Sequence, residues 1–244
     1  MGGGGNEGAE PQPFRTAYDF NAPKTDLFLV NRRGQKMHCR TYLPKSTASI
    51  KATVVYFHGY AAHTNGPSMR ALGEALTDGG LAVVMADMIG HGYSDGARVL
   101  IEDYNDIVDD GLDLIEAATS SSACDGEKCH LGLDGLYRQA MGGLPFFVGG
   151  QSMGGGQALL LGQKLRAQKA ERFLGGVLLC PAIAANPPPA PVVFFLRYCI
   201  APWIPWARVP QAIERVSVPS LIWTNPRDAL RGELDKWGNP GGLG

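Results

Sequence analysis

A chain of 244 residues, 45% of them hydrophobic, has the length for one large α/β domain and the apolar side chains for a substantial core. A formal net charge of −1, with only 18% charged residues, leaves no basic field for nucleic acid and no acidic tail. The 33 glycines and 17 prolines gather at the two ends and in one central stretch, which marks loops in a folded chain and excludes wholesale disorder.

Residues 1–22 read as a flexible arm by composition. They carry no apolar stretch for secretion and no Arg/Ser run for organelle import. Asn6 stands where the myristoylation pattern asks for Ser or Thr. No uncharged apolar run reaches the roughly 18 residues of a membrane span, so a soluble cytoplasmic protein is expected.

The hairpin pattern comes next: "DLFLVNRRGQKMHCRTYLP" alternates around Arg32–Arg33–Gly34, from Asp26 to Tyr42. "ATVVYFHG" is a β-branched apolar run stopping at glycine, as in a strand buried on both faces. "SMRALGEALTDGG" has helical apolar spacing, with Ser68 as cap and Gly79 as stop. "LAVVMAD" repeats the buried-strand pattern. "EDYNDIVDDGLDLIEAATS" is an amphipathic helix with Ile107, Val108, Leu112 and Ile115 on one side. Residues 119–144 read as a loop-rich insertion. "PFFVGG" is then a strand, "MGGGQALLLGQKLRAQ" a helix and "FLGGVLLCPA" a further strand.

Strand alternating with helix specifies a mostly parallel sheet with crossover helices on both faces. In such sheets, ligands sit beyond the carboxyl ends of the strands. Three chemically loaded loops fall there: His58–Gly59–Tyr60, the stretch from Asp87 to Gly96, and Gly150–Gln151–Ser152–Met153–Gly154.

A bare Gly-x-Ser-x-Gly says little, since this glycine content gives about 0.2 matches by chance. Its setting says more. It follows an apolar strand and opens an apolar helix, as the sharp turn that exposes a nucleophilic serine requires. The flanking glycines keep side chains out of a crowded turn. The Met153 backbone N–H then lies at the positive end of the helix, aimed at a reacting carbonyl. The order His58, Asp87, Ser152 is that of trypsin-like proteases, but those are antiparallel barrels and this pattern alternates strand and helix.

The five cysteines are odd in number and irregularly spaced. Cys39, Cys180 and Cys199 fall in expected core elements, which reads as reduced, intracellular chemistry. Cys124, Cys129 and His130 are one ligand short of a zinc site and match no common spacing, so no metal or other cofactor is expected.

Four stretches together resemble the α/β-hydrolase superfamily, and within it the capped, monoglyceride lipase-like serine hydrolases: "YFHGYAAH" (56–63), "ADMIGHGYSDG" (86–96), "GGQSMGGGQAL" (149–159) and "GGVLLCPAI" (175–183). The resemblance runs from about Asp26 to Pro181. It implies an acyl-ester hydrolase acting on a small-molecule substrate, with Ser152 as the nucleophile and the backbone N–H groups of Tyr60 and Met153 as the oxyanion hole. It also implies supporting roles in the loops for His58, Asp87 and His91.

From Asn186 the prolines multiply and aromatic residues crowd, in the position of the family's cap. Phe194, Phe195 and Trp203 are the candidates for lining an acyl site, and the segment suits contact with a membrane surface. A buried helix on the sheet is the other reading of this stretch.

The family supplies the triad acid and histidine late in the chain. Asp228, after "VPSLIWTNPR", is the candidate acid, although the same stretch suits a loop between cap helices. No histidine follows Ser152: all five, His38, His58, His63, His91 and His130, precede it. The expectation is therefore a core over residues 23–185, with a cap region and truncated carboxyl-terminal segment over 186–244. Two functions fit: an ester hydrolase of doubtful competence, and a non-catalytic remnant that binds an acyl ligand or partner. The strand "GGVLLC" is expected to form an exposed sheet edge, with poor solubility as the result.

Overall fold

The computed structural model describes residues 26–122, 126–183, 189–200 and 202–203. Phe28–Val30 (β1) and Lys36–Tyr42 (β2) form the antiparallel hairpin, with Gly34 at φ 79° in its turn. Asn31 and Arg33 each donate to the Asp110 carboxylate at 2.7 Å, pinning the hairpin to the helix Tyr104–Thr119 (α2). Ala52–Phe57 (β3) and Leu81–Ala86 (β4) lack alternation because both of their faces are covered, and all six β3 residues are buried.

Between those strands, Pro67–Asp78 forms helix α1. Gly66 is its N-cap and Pro67 fills the first turn, so Ser68 lies inside the helix and does not cap it as the sequence suggested. Helix α2 buries Ile107, Val108, Leu114 and Ile115, while Leu112 is only partly buried. Helical spacing is the reason: Gly111 takes the centre of the buried face, where a Cβ would lie 2.7 Å from Leu161, and Leu112, one residue on, falls just past its edge.

The 119–144 stretch is more regular than its glycine content suggests. Cys129–His130 (β5) adds to the β1 edge, and Gly135–Gly143 (α3) is a helix whose N-cap, Asp134, accepts the Tyr137 N–H. Phe146–Gln151 (β6), Met153–Ala167 (α4) and Phe173–Leu179 (β7) follow as expected. Ala190–Phe195 (α5) runs into a π-helical turn over Leu196–Ile200.

The sheet order is β5-β1-β2-β4-β3-β6-β7. Strands β4, β3, β6 and β7 run parallel, and β2 is antiparallel to β4. One face packs on α2, α3 and α4 around Leu114, Met141 and Leu161; the other packs under α1 around Tyr56, Met69, Val83 and Met85. Truncating a side chain such as Leu161, which has no exposed surface, would cost about 2–5 kcal/mol.

Two cysteine expectations are corrected. Cys39 is buried, but Cys180 and Cys199 are exposed, because one lies past the end of β7 and the other in the π turn. Cys129 is disulfide-bonded, so the thiols are not uniformly reduced; a count of cysteines does not report which of them the fold brings within bonding distance. Among the described residues, no helix is long and apolar enough to cross a membrane, and no cluster of three or more His, Cys, Asp or Glu is placed to hold a metal ion.

Strand β7 is the last of the sheet among the described residues. Phe173 and Leu178 pack inward, while Leu174, Val177 and Leu179 stay exposed. A strand with this much exposed apolar surface invites association. The 244-residue chain is therefore expected to sediment as oligomers at micromolar concentration, and the L174K/V177K variant to shift towards monomer. Sedimentation velocity decides, and a monodisperse parent monomer would refute the expectation.

Candidate active site

Strands β3, β4 and β6 are parallel neighbours, so the loops that follow them share one edge of the sheet. Ser152 occupies the tight turn between β6 and α4, with φ 52° and ψ −118°, and it is exposed. That backbone conformation costs an L-residue of the order of 1–3 kcal/mol and persists only where the surroundings hold it. Here the backbone does the holding. The Ser152 N–H donates to Leu179 O at 2.9 Å, and its carbonyl accepts from Gly156 N at 3.1 Å and Ala182 N at 2.8 Å.

The two glycines of the motif are required by close approach. A Cβ at Gly150 would strike Gly154 O, and one at Gly154 would strike the carbonyl oxygens of Phe57 and His58. The turn therefore packs its backbone directly on the end of β3. Because the Ser152 carbonyl is engaged by Gly156 and Ala182, the N–H on the opposite side of that peptide, that of Met153, faces away from them, among the unpaired donors of the first turn of α4.

Gly59 brings the second loop alongside. An ideal Cβ on it would lie 3.4 Å from Ser152 Cβ and 3.9 Å from Ser152 Oγ. Tyr60, the next residue, is 57% exposed, and its hydroxyl donates to Val99 O at 3.3 Å. The His58-Gly59-Tyr60 loop and the Ser152 turn thus meet, as a two-donor oxyanion site needs.

Beneath that loop lies a buried polar hub. The Asp87 carboxylate, with no exposed surface, accepts from His38 Nδ1 at 3.0 Å, Thr64 N at 2.6 Å and Tyr93 N at 2.9 Å. The Ser94 hydroxyl donates to the Asp87 carbonyl and accepts from His38 N. Gly92, at φ 49°, admits this arrangement, since a Cβ there would collide with the carboxylate. Burial works to raise the Asp87 carboxyl, but the hydrogen bond and charge of His38 prevail and hold it well below the usual carboxylate range.

His58 is committed elsewhere. Its Nε2 accepts the Met88 N–H at 2.9 Å, so Nδ1 carries the proton and donates to Gly59 O at 2.7 Å. Both nitrogens are occupied, and burial lowers its pKa, so the ring is a neutral strut between two loops. Burial also pushes the His91 imidazole down to about 3, and the ring packs 5.8 Å from that of Tyr60. Among the described residues, the Ser152 side chain makes no hydrogen bond to a ring nitrogen or a carboxylate.

The structure thus brings Ser152, Met153 and Tyr60 together. Phe194, Phe195 and Trp203 are 62%, 55% and 77% exposed on the later segment, joining neither core cluster. Asp228 lies outside the described residues. Sequence reasoning passed over His38, Thr64 and Tyr104. A histidine between Met37 and Cys39 in an apolar strand is the trace of the first; nothing local marks the other two.

Comparison with known proteins bears on this geometry. Residues 48–229 match the family described as serine aminopeptidase, S33. The chain belongs to this α/β-hydrolase family. It is 31% identical to human monoglyceride lipase over 179 residues, 73% of this chain and 50% of that protein. It is 32% identical to caffeoylshikimate esterase of Arabidopsis thaliana over 52% of this chain and 32% of that protein. The solved monoacylglycerol lipase of Paleococcus ferrophilus shares the fold at TM-score 0.56 and 20% identity, covering 82% of this chain and 63% of that one. The chain spans about half the length of the mammalian monoglyceride lipases it matches.

Replacing Asp87 by Asn keeps the shape but sets an amide N–H₂ against groups that themselves donate. The D87N variant is expected to lose about 3–5 kcal/mol of unfolding free energy at pH 7. The folded pKa of Asp87 is depressed, so its contribution is present above the unfolded value of about 3.9 and is lost as pH falls through the folded one. The gap between the urea midpoints of parent and variant should therefore be full at pH 7 and begin to narrow below about pH 3.9, and a gap that stays constant as the pH falls further would contradict the assignment.

Proposed function

We propose that this chain carries the nucleophilic half of a carboxylic-ester hydrolase of the monoacylglycerol lipase type. The observation that carries the reading is the exposed Ser152, held at positive φ at the start of α4 with the Gly59–Tyr60 loop against it. Ser152 Oγ would bond to the acyl carbonyl carbon while the Met153 and Tyr60 N–H groups stabilise the oxyanion. The alcohol then leaves with a proton, and water cleaves the acyl-serine. The monoglyceride lipases and esterase among its relatives support an ester over a peptide substrate, although the matching family bears a peptidase's description.

The segment from Ala190 to Trp203 supports a cap reading. Val192, Phe194, Phe195, Leu196, Tyr198 and Trp203 are all exposed, which suits a surface that meets acyl chains or a lipid interface. Neither of the buried rings of His58 and His91 bonds the Ser152 side chain as a base would, and Asp228 remains the candidate acid. That lack of a base favours a second reading, a hydrolase-fold protein that binds acyl ligands without turning them over.

A fluorophosphonate probe and a monoacylglycerol substrate separate the two. The enzyme reading expects labelling at Ser152 and ester turnover, both abolished in S152A, with turnover of this chain roughly 10⁴-fold or more below that of a relative with an intact base, because no described histidine bonds the Ser152 side chain. Acyl-ligand binding that survives S152A, with no labelling of the parent, would establish the binder instead. A peptide anilide cleaved faster than the ester would overturn the substrate class.

For the apolar segment, co-sedimentation with phosphatidylcholine vesicles is expected to weaken at least tenfold in the F194S/F195S/W203S variant, given the aromatic area removed. Equal partitioning of parent and variant would remove the lipid-facing role.

A further inference from the structure

The strained turn at Ser152 has backbone partners on two sides, Leu179 at the end of β7 with Ala182 beyond it, and Gly156 within α4. A third side is supplied by a side chain from a different element. Tyr104, the first residue of α2, donates its hydroxyl to the Met153 carbonyl at 2.8 Å. It arrives there by design of the interface. Asp103 caps α2 by accepting the Asn105 N–H, which fixes where the helix begins and hence where Tyr104 points. Gly156 leaves room for the phenol, since a Cβ on it would lie 3.0 Å from the Tyr104 Oη.

The same two helices are joined further along. The Gln157 amide donates to Ile107 O, Gly111 admits Leu161, and Lys164 pairs with Asp109 at 2.8 Å. Of these links, Tyr104 is the one that grips a residue of the nucleophile turn itself. The Met153 carbonyl belongs to the peptide next to the one whose N–H faces the site. A phenol bound there restrains rotation of both peptide planes about the Met153 Cα, and with it the direction of the Met153 N–H.

We propose that Tyr104 is a positioning residue for the oxyanion side of Ser152, acting through the Met153 carbonyl. This rests on Ser152 being the nucleophile. Removing the hydroxyl leaves the ring's packing intact, so the effect falls on the alignment of the turn and not on the fold as a whole. A hydrogen bond of this kind is worth about tenfold in a rate that depends on it.

The test compares the 244-residue parent with Y104F, with K164A as a control in the same helix interface, and with S152A as the blank. Two quantities are read: the second-order rate of fluorophosphonate labelling at Ser152, located by mass spectrometry, and amide hydrogen exchange of Ser152 and Gly156. The expected result is labelling about tenfold slower in Y104F and unchanged in K164A. Exchange at Ser152 and Gly156 should be faster in Y104F, while Leu161 and Leu165 keep the parent's protection. Labelling and local exchange equal to the parent's would overturn the proposal, as would a loss of protection spread evenly along α4, which marks a merely structural role. If the parent is not labelled at Ser152 at all, the nucleophile reading fails. The exchange pattern then decides on its own whether Tyr104 orders the turn.

Discussion

One buried carboxylate organises the edge of the sheet at which the three loops meet. Asp87 stands at the end of β4 with no exposed surface, and it is stabilised as an anion only by what converges on it: the His38 ring from β2 and the N–H groups of Thr64 and Tyr93 from two loops. A charge in that position without partners would cost several kcal/mol, so those donors must be in place for the fold to close. The consequence reaches the loop beside Ser152. His58 accepts the Met88 N–H and Thr64 donates its N–H to Asp87, so the loop after β3 is tied at two points to the residues that follow β4.

The Ser152 turn follows a different logic. Nothing charged supports it; it is held by backbone hydrogen bonds and by carbonyls approaching so closely that only glycine fits at positions 150 and 154. The same close approach leaves the serine no relaxed alternative, which is how a conformation unfavourable to an L-residue is kept. Rigidity at Ser152 and electrostatic anchoring behind the loop after β3 are thus separate devices that meet at Gly59.

Much of the fold was legible because buried parallel strands and amphipathic helices write themselves plainly: "ATVVYF", "LAVVMA" and "FFVGGQ" became β3, β4 and β6. What escaped was local or long-range. Ser68 failed as a cap because Pro67 before it is better suited to a first turn, and α3 was hidden among glycines that its Asp134 cap overcomes. In the site, the motif pointed to Ser152 and its neighbours. The contacts of His38 and Tyr104 join residues 49 positions apart in each case, a separation no short pattern encodes.

The partners of the Ser152 backbone also set an order of events. Leu179 and Ala182, which hold its N–H and its carbonyl, are made about thirty residues after it. A chain emerging from the ribosome therefore completes the motif, and even helix α4, while the turn that strains the serine still lacks its restraints. The strained conformation of Ser152 is in this sense latent in the nascent chain, set by the arrival of β7 and the three residues beyond it.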